Sequence, residues 1–469
     1  MSSLLEQAYN PEEFRELGHQ LVDFLADNLK QNIRGLRPKV IEYISPDENY
    51  IDWGQWENKD PIAFFQKILD NSIQLQHPRY MGHQVCFPAP LTALAGFHGL
   101  MLNSGGAIYE MSMAASTLEK LVIDRLKPYF GFPEGDGLLT SGGTLANLTA
   151  LICARNVKAP EDVWTKGQQK KYAFMVSEEA HYCIDRAAKI MGWGEDGIIK
   201  VPVNKKYQLD VSCLEEYFTA AQQRGITVLG VVGSAPSTST GIYDDLVSIG
   251  HFCEKYNLWF HLDAAHGGPA VFSEKYAYLM DGCGAADSIV VDAHKMMMTP
   301  SLTTLLLFKK TDDSYKTFAQ KAQYLWADSG QEWYNYGKRT MECTKLMMST
   351  RVYALINTYG VKIFEENIDR CYDNAKSLAT MIQKENNMEV AVDPDSNIVC
   401  FRVLSDTPKK TNSLNENIRQ KMLENGSFYI VQTLLHGQRY LRVSLMNPFT
   451  GDKECRFLLD TIQDMAKQF

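Results

Sequence analysis

A lysine and an aspartate near the middle of the chain have the types and the placement that cofactor chemistry needs. Lys295 comes shortly after a strand pattern through Val290 to Ala293, and Asp263, 32 residues before the lysine, ends another strand pattern. A lysine amine forms a Schiff base with an aldehyde, and a carboxylate beside a pyridine nitrogen keeps that nitrogen protonated. Pyridoxal 5'-phosphate requires both groups, so the sequence predicts a site for this cofactor.

A glycine-containing segment, Thr140 to Thr144, precedes a helical pattern that runs to Arg155. Glycines let the backbone approach a phosphate, and the free amides of a helix start bind its oxygens together with Ser and Thr hydroxyls. Alone, such a segment is commonly just a tight connection. Beside Lys295 and Asp263, it is interpreted as a phosphate-binding segment.

Three further residues follow strand patterns and are candidates for contacts with the cofactor ring. His181 follows the pattern Ala173 to Ser177, where a histidine is either a ring contact or a hydrogen-bonded structural residue. Thr238 lies in a polar segment after another strand, which is either a turn or the source of a hydroxyl near the ring oxygen. Ala265 lies two residues beyond Asp263, so its small side chain can pack flat against a ring.

Helical patterns alternate with short β-rich runs from about Gly137 to Lys310, which predicts a mostly parallel sheet covered by helices. Ligands of such sheets bind at the carboxyl ends of the strands, where the candidate residues fall. The strand patterns are Ala173 to Ser177, Val228 to Gly233, Leu258 to Leu262, Ser288 to Val291 and Thr303 to Phe308. A long helix near Thr350 to Glu365 and strands at Asn397 to Val403 and Arg439 to Leu445 indicate a small C-terminal α+β domain.

The N-terminal segment shows an amphipathic helix, with Asn10 as N-cap, Pro11 at its first position and apolar residues from Phe14 to Leu29 at helical spacing. Its apolar face packs either on its own domain or on a second subunit.

The composition limits the kinds of binding partner and the cellular compartment that we expect for this protein. The 469 residues carry a net charge of -9, which argues against nucleic acid or an anionic membrane as partner. The ten cysteines form no CxxC pair, so we expect no metal site and a reducing, cytoplasmic environment. The acidic residues near the N-terminus and the short apolar runs lead us to expect neither a signal peptide nor a membrane span.

From His77 to Pro448, the chain resembles the group II pyridoxal phosphate-dependent amino acid decarboxylases, which include aromatic amino acid, glutamate, cysteine sulfinate and diaminobutyrate decarboxylases. The Ser-Gly-Gly-Thr, Asp-Ala-Ala and His-Lys motifs and the His181 segment carry the resemblance. It implies the fold-type I architecture of pyridoxal phosphate-dependent transferases. That fold is α/β, with helices on both faces of a mostly parallel central sheet and a small C-terminal α+β domain. The expected boundaries are 1–85 for an N-terminal helical segment on the dimer partner, 86–350 for the cofactor domain and 351–469 for the small domain.

The resemblance also implies roles for single residues. Lys295 matches the Schiff-base lysine, Asp263 the partner of the pyridine nitrogen, and His181 the histidine stacked on the ring. The other matches lie around the phosphate or the ring hydroxyl: Ser141, Gly143, Thr144, His294 and Thr238. Arg442 matches the arginine that holds the substrate α-carboxylate in glutamate decarboxylases, and His83 lies in a substrate-side segment.

The family uses a mobile loop whose tyrosine donates a proton after carbon dioxide leaves. The polar segment Asp328 to Thr340 matches this loop. Comparison with glutamate decarboxylases places the tyrosine at Tyr334, which we favour, and comparison with aromatic decarboxylases places it at Tyr336.

The expected function is therefore pyridoxal phosphate-dependent decarboxylation of an L-amino acid by a homodimer, with a preference for the glutamate, cysteine sulfinate and diaminobutyrate branch. An aromatic substrate is an alternative, because His266 and His83 depart from the motifs of related enzymes. A decarboxylation-dependent aldehyde synthase is another, although some of those enzymes carry phenylalanine in place of the loop tyrosine. An aminotransferase or desulfurase is disfavoured by His181, and a catalytically silent binding subunit by the presence of Lys295 and Asp263.

Overall fold

The structure is a computed structural model, and it describes residues 3–318 and 332–469. Internal contacts divide the chain into two units. The first comprises Met1–His83, Lys376–Ala391 and Val399–Phe469, and the second comprises Gln84–Ala375 and Val392–Ile398. The boundaries proposed from the sequence, 1–85, 86–350 and 351–469, remain predictions.

The helices and strands alternate through the middle of the chain, as the sequence predicts. In chain order the α-helices are α1 Leu4–Ala8, α2 Pro11–Ile33, α3 Pro46–Gly54, α4 Pro61–Asp70, α5 Pro90–Leu102, α6 Tyr109–Leu126, α7 Gly143–Lys158, α8 Val163–Lys166, α9 Tyr182–Ile190, α10 Leu214–Gln223, α11 Leu246–Lys255, α12 Asp312–Phe318, α13 Met348–Tyr359, α14 Lys362–Gln383, α15 Pro408–Asn425 and α16 Asp452–Ala466. The strands are β1 Asp136–Thr140, β2 Lys171–Ser177, β3 Ile198–Val201, β4 Ile226–Ser234, β5 Trp259–Asp263, β6 Ser288–Asp292, β7 Thr304–Phe308, β8 Met388–Val390, β9 Ile398–Val403, β10 Val431–Leu435 and β11 Gln438–Ser444.

The second unit contains a seven-stranded sheet in the order β1-β7-β6-β5-β4-β2-β3. Neighbouring strands from β6 through β5, β4 and β2 to β3 pair in parallel, and only β7 runs against its two neighbours. The predicted mostly parallel sheet is confirmed. The sequence patterns did not include β1 and β3, the two edge strands. Strand β1 begins with Asp136 and Gly137, which are uncommon in strands, and β3 has only four residues.

Helices cover both faces of this sheet. Val232 of β4 belongs to an apolar cluster that includes Ala146 and Leu151 of α7. The next residue, Gly233, faces the side chains of Leu246 and Ile249 in α11. Because successive residues of a strand point to opposite faces, α7 and α11 lie on opposite sides of the sheet.

The first unit combines the N-terminal helices with a four-stranded sheet in the order β10-β11-β9-β8. Helix α2 begins as expected, because the Asn10 side chain accepts a hydrogen bond from the Glu12 amide at 3.0 Å and Pro11 occupies the first position. The N-terminal and C-terminal segments contact each other directly. For example, the Val40 amide donates to the Gly426 carbonyl at 2.8 Å.

The single helix expected near Thr350 to Glu365 is wrong in detail. Helix α13 ends at Tyr359, and α14 begins at Lys362. Gly360 between them has a φ of +71°, a conformation that a residue with a side chain rarely adopts, and it therefore ends the first helix.

None of the helices in the described ranges combines the length and the apolar character that crossing a bilayer demands.

Candidate active site

The carboxyl ends of the central strands bring the predicted cofactor residues together. Asp263 ends β5 and Asp292 ends β6, and these strands pair in parallel, so both carboxylates reach the same edge of the sheet. Lys295 lies in the turn after β6, and its backbone amide donates to the Asp292 carbonyl at 3.0 Å. This turn directs the lysine back over the ends of the two strands.

The Lys295 ammonium is held by the carboxylate that ends its own strand. Its Nζ lies 3.0 Å from Oδ2 of Asp292. Burial lowers the pKa of Lys295, but the carboxylates of Asp292 and Asp263 outweigh this and raise that pKa above its usual value. Burial acts to raise the pKa of Asp292, yet the cations around it hold that pKa below its usual range. The two groups therefore form a buried ion pair.

Asp263 has a different environment. Burial raises the pKa of its carboxyl group, and Lys295 and His181 only partly oppose the increase. Its oxygens accept hydrogen bonds from neutral donors, namely the Asn147 side-chain amide at 3.2 Å and the Ala265 backbone amide at 3.2 Å. A cation placed against this carboxylate would lower the cost of its ionisation.

His181 is fixed in place as the N-cap of α9. Its Nδ1 accepts a hydrogen bond from the Cys183 backbone amide at 3.3 Å. Burial lowers the pKa of His181, although the Asp263 carboxylate partly opposes this, so the ring is neutral at neutral pH. A neutral imidazole with one nitrogen tied to the backbone is suited to lie flat on an aromatic ring.

The segment from β1 into α7 has glycines at two positions where a side chain would be strained or would clash. Gly142 has a φ of +102°, and a Cβ at Gly143 would lie 2.9 Å from Oδ2 of Asp292. Next to them, the Ser141 hydroxyl donates to the Glu342 carboxylate, and the Ser141 amide donates to the same group at 3.4 Å. The donors of this segment therefore already bind one anionic group of the chain.

His294 lies beside this segment with a defined orientation. The Thr303 backbone amide donates to its Nδ1 at 3.2 Å, and its Nε2 lies 3.6 Å from Oδ2 of Asp292. The Nε2 atom is therefore turned toward the end of β6.

These groups surround two adjoining cavities that share His181, Asp263, Ala265 and Lys295. The larger has a volume of about 280 Å³, close to the lower end of about 300 Å³ for small-molecule sites. Its lining includes Ser141, Gly143, Thr144, Asn147, Asp292 and His294. Thr238 lines the smaller cavity together with His266. The lining offers a lysine, the buried carboxylate of Asp263, a histidine and a glycine-containing segment with hydroxyls. These groups match the aldehyde, the ring nitrogen, the ring face and the phosphate of pyridoxal phosphate, so the residues fit the cofactor.

The two predicted substrate residues belong to the first unit. Arg442 in β11 is a buried cation with 6% of its surface exposed, and burial lowers its pKa. Partial burial lowers the pKa of His83, and the cations Arg442 and Arg419 lower it further. This part of the unit therefore has a positive potential.

The two candidate loop tyrosines differ in accessibility. Tyr336 is buried, with 1% of its surface exposed, and the Lys345 ammonium lies 4.4 Å from its ring centroid. Tyr334 is only partly buried and makes edge contacts with the rings of Tyr109 and Trp333. Residues 328–331 of the predicted loop lie outside the described residues.

Comparison with known proteins identifies the family. The model of the pyridoxal-dependent decarboxylase conserved domain matches residues 66–404. The chain belongs to this decarboxylase family. An L-aspartate decarboxylase of Metarhizium robertsii is 30% identical over 416 residues, covering 87% of this chain and 81% of that protein. An aromatic-L-amino-acid decarboxylase of Bacillus atrophaeus is 27% identical, covering 97% of this chain and 96% of that protein.

Solved structures agree on the fold. The crystal structure of mouse CSAD superposes with a TM-score of 0.90 at 21% identity, covering 98% of this chain and all of that chain. The expected fold-type I α/β architecture is confirmed. The protein is a pyridoxal 5'-phosphate-dependent amino acid decarboxylase, a carboxy-lyase.

The sequence patterns missed several residues of this decarboxylase that surround the cofactor groups. Asn147 and Asp292 line the larger cavity, and Glu342 binds Ser141. Asp292 could have been found, because it ends a strand three residues before the lysine. Asn147 lies one helical turn beyond Gly143, on the face that α7 presents to the cavity. Glu342 has no local signal, since it follows Ser141 by 201 residues.

Proposed function

We propose that this decarboxylase acts on an acidic L-amino acid, within the glutamate, cysteine sulfinate and diaminobutyrate branch, and releases carbon dioxide and the corresponding amine. The observation that carries the proposal is the 30% identity with an L-aspartate decarboxylase over 87% of the chain. The positive potential around Arg442, Arg419 and His83 supports it, because an acidic amino acid brings two carboxylates.

When bound, pyridoxal phosphate supplies an aldehyde that captures the substrate amine and a protonated ring that accepts the electrons left by departing carbon dioxide. The residues of the chain position and protonate these groups. Lys295 would hold the aldehyde carbon, and its amine can then take or release a proton while Asp292 keeps it in place. Asp263 would keep the ring nitrogen protonated, and His181 would cover one face of the ring. Ser141, Gly143, Thr144 and His294 would bind the phosphate, Thr238 the ring hydroxyl, and Ala265 would pack against the ring.

We propose Tyr334 as the residue that protonates Cα after carbon dioxide leaves. Its partial exposure and its aromatic neighbours support this role, whereas Tyr336 is enclosed by protein. Burial raises the pKa of Tyr336 well above its usual value, so its proton is held tightly.

Matched variants test this assignment. Tyr334→Phe should lower amine formation by about 10²-fold or more, the range for loss of a general acid. Tyr336→Phe should retain amine formation to within a few-fold. The opposite ranking would transfer the role to Tyr336.

We propose that Arg442 binds the substrate α-carboxylate and that His83 lies on the side of the substrate side chain. Arg442→Met should then raise KM for every L-amino acid that the enzyme accepts. His83→Gln should change the ratio of kcat/KM between acidic and other substrates, since only the side-chain contact differs. An unchanged KM in Arg442→Met would show that Arg442 does not bind the α-carboxylate.

The first experiment is mass-spectrometric detection of products after incubation with acidic, basic and aromatic L-amino acids. A dominant amine from aspartate, glutamate or cysteine sulfinate would support the proposed branch. The second candidate is aromatic decarboxylation, favoured by the match to a Bacillus aromatic decarboxylase over 97% of the chain. A dominant aryl amine would establish that alternative, and aldehyde without amine would indicate an aldehyde synthase.

We further infer a homodimer in a reducing, cytoplasmic environment. Exposed apolar side chains along the N-terminal helices support dimerisation, among them Leu4, Leu5, Tyr9 and Phe14. The cysteines are free thiols, which suits a reducing compartment. A fully active monomer in sizing chromatography would contradict the dimer.

A further inference from the structure

A row of buried polar side chains runs from the interior of the sheet to the carboxylate of Asp263. The Trp259 indole nitrogen donates to the Ser288 hydroxyl oxygen at 2.9 Å, and that oxygen lies 2.8 Å from Nδ1 of His261. On the other side of the ring, Nε2 of His261 lies 2.7 Å from Oδ1 of Asn147. The Asn147 amide nitrogen then donates to Oδ2 of Asp263 at 3.2 Å.

We propose that Trp259, Ser288, His261 and Asn147 form a hydrogen-bond relay that directs its last N–H at Asp263 and thereby keeps this carboxylate ionised against the cofactor ring nitrogen. The relay rests on the role proposed for Asp263. Its members are positioning residues, because they act on the cofactor only through that carboxylate.

The two ends of the relay fix the direction of every bond within it. An indole nitrogen only donates, and an ionised carboxylate only accepts. Asn147 must therefore turn its amide nitrogen toward Asp263 and its oxygen toward His261. Nε2 of His261 then carries the proton, so Nδ1 accepts from the Ser288 hydroxyl, whose oxygen accepts from Trp259.

A further contact agrees with this direction, and the neutral state of His261 allows the ring both to donate and to accept. The same Asn147 nitrogen also points at the Cys183 sulfur, 3.4 Å away, which accounts for its second hydrogen. Burial lowers the pKa of His261 to about 3, so the ring is neutral and has one donor and one acceptor nitrogen.

The relay explains how Asp263 can ionise in a place that disfavours its charge. The charged and titratable groups beside Asp263 are Lys295, His181, Asp292 and the Cys183 thiol. Asp292 is itself an anion that pairs with the lysine, and burial raises the pKa of the thiol, which therefore adds no positive charge. A neutral relay with oriented dipoles stabilises the carboxylate without adding another cation that would compete with the ring nitrogen. All four relay residues are buried, with at most 1% of their surface exposed. Water therefore does not replace a lost donor.

If all hydrogen bonds of the relay ran in the opposite direction, Asp263 would be protonated. If Asp263 were protonated, its hydroxyl would donate to Asn147, Asn147 would donate to Nε2, and the His261 proton would lie on Nδ1. The position of the proton on His261 therefore reports the ionisation of Asp263.

The test uses the holoenzyme loaded with pyridoxal phosphate labelled with ¹⁵N at the ring nitrogen. The ¹⁵N chemical shift distinguishes a protonated from a neutral ring nitrogen. His261→Leu removes the donor to Asn147, whereas His261→Gln retains an N–H at the position of Nε2. Thr149→Val is the matched control, because Thr149 is equally buried on α7 and its hydroxyl donates to the Leu145 carbonyl of its own helix.

We expect the ring-nitrogen shift to move toward the neutral value in His261→Leu and in Asn147→Leu. It should return toward the wild-type value in His261→Gln and stay unchanged in Thr149→Val. Turnover in His261→Leu should fall about ten- to hundred-fold, as for loss of a hydrogen bond to a charged group. If His261→Leu does not fold, Ser288→Ala serves instead, with the same direction and a smaller shift.

Failure of the relay and failure of the underlying role give different results. Suppose that the ring nitrogen is protonated in the wild type and that its shift is the same in His261→Leu. This result would overturn the relay and leave the role of Asp263 intact. A neutral ring nitrogen in the wild type would overturn the role of Asp263. The imidazole ¹⁵N shifts of His261 then decide the relay alone, because a proton on Nε2 supports it and a proton on Nδ1 overturns it.

Discussion

The second unit contains two buried clusters of charged residues, one around Arg339 and Asp136 and one around Lys295, Asp292 and Asp263. They differ in whether each carboxylate has a cation of the chain in contact with it. Arg339 is fully enclosed, and its Nη1 lies 2.5 Å from Oδ2 of Asp136. Its Nε donates to the Ser314 hydroxyl at 3.0 Å, and its guanidinium lies over the ring of Tyr315. Burial acts to raise the pKa of Asp136, yet Arg339 outweighs it and lowers that pKa. In the second cluster, Lys295 pairs with Asp292, and burial raises the pKa of the neighbouring Asp263.

The difference separates a structural ion pair from a catalytic one. The Asp136 carboxylate has two cations of the chain beside it, Arg339 and, at 3.5 Å, Lys120, so losing the closest of them affects stability. A carboxylate whose ionisation is disfavoured by burial can be stabilised by a cation from outside the chain, and for Asp263 we propose that this cation is the protonated cofactor ring. Equal burial therefore predicts opposite consequences of mutation in the two clusters.

The largest expected effect is on turnover in Asp263→Ala. Without the carboxylate the ring nitrogen loses its proton, and turnover should fall by about 10³-fold or more while some cofactor remains bound. Steady-state kinetics and cofactor absorbance measure the two effects. Asp136→Asn is the control and should keep its activity per folded molecule. Normal turnover in Asp263→Ala would contradict the comparison.

Arg339→Met should reduce stability and leave turnover nearly unchanged, the opposite of Asp263→Ala. It leaves the Asp136 carboxylate buried without its closest cation, which costs about 3–5 kcal/mol of unfolding free energy. Urea unfolding gives this value, and kcat of the folded fraction should stay near that of the wild type. A stable variant with impaired catalysis would show that this pair also belongs to the active site.

The Glu342→Gln variant tests how the carboxylate that binds Ser141 affects the affinity for the cofactor. The Glu342 carboxylate accepts from the hydroxyl and the amide that are expected to bind the cofactor phosphate. Removing its charge should tighten pyridoxal phosphate binding several-fold, or about 1 kcal/mol, because the phosphate no longer competes with a like charge. Fluorescence titration of the apoenzyme measures the change, and Glu332→Gln is a charge-matched control. Weaker binding would mean that the carboxylate supports the cofactor.

The last prediction concerns the pH dependence of stability. Burial lowers the pKa of His261 to about 3, so the folded protein holds it neutral while the unfolded chain protonates it below about 6.5. Stability is therefore lost as pH falls from about 6.5 toward 3, by about 1.4 kcal/mol per pH unit for this residue. His261→Gln should make the decline shallower by that amount in urea unfolding at pH 7 and 5. Parallel declines would show that His261 is not neutral in the fold.

Much of the chemistry was visible in the sequence because it depends on residues close to strand ends. Asp263, His181 and Lys295 each follow an apolar run, and parallel strands bring such ends to one edge whatever the details of packing. The Ser141 to Thr144 segment likewise combines glycines with hydroxyls in a short stretch. These local signals predicted the fold class, the cofactor and several of the residues that line the two cavities.

The sequence by itself determined which residue types reach the edge of the sheet, because strand and helix periodicity are local properties of the chain. Only the tertiary structure decided how their charges are matched. His261 and Asn147 meet across 114 positions of the sequence, and Ser141 and Glu342 across 201. The direction of a hydrogen bond and the pKa of a carboxylate depend on atoms within a few ångströms in space. No spacing along the chain encodes those distances, and so the relay to Asp263 and the anion at Ser141 appear only in the folded protein.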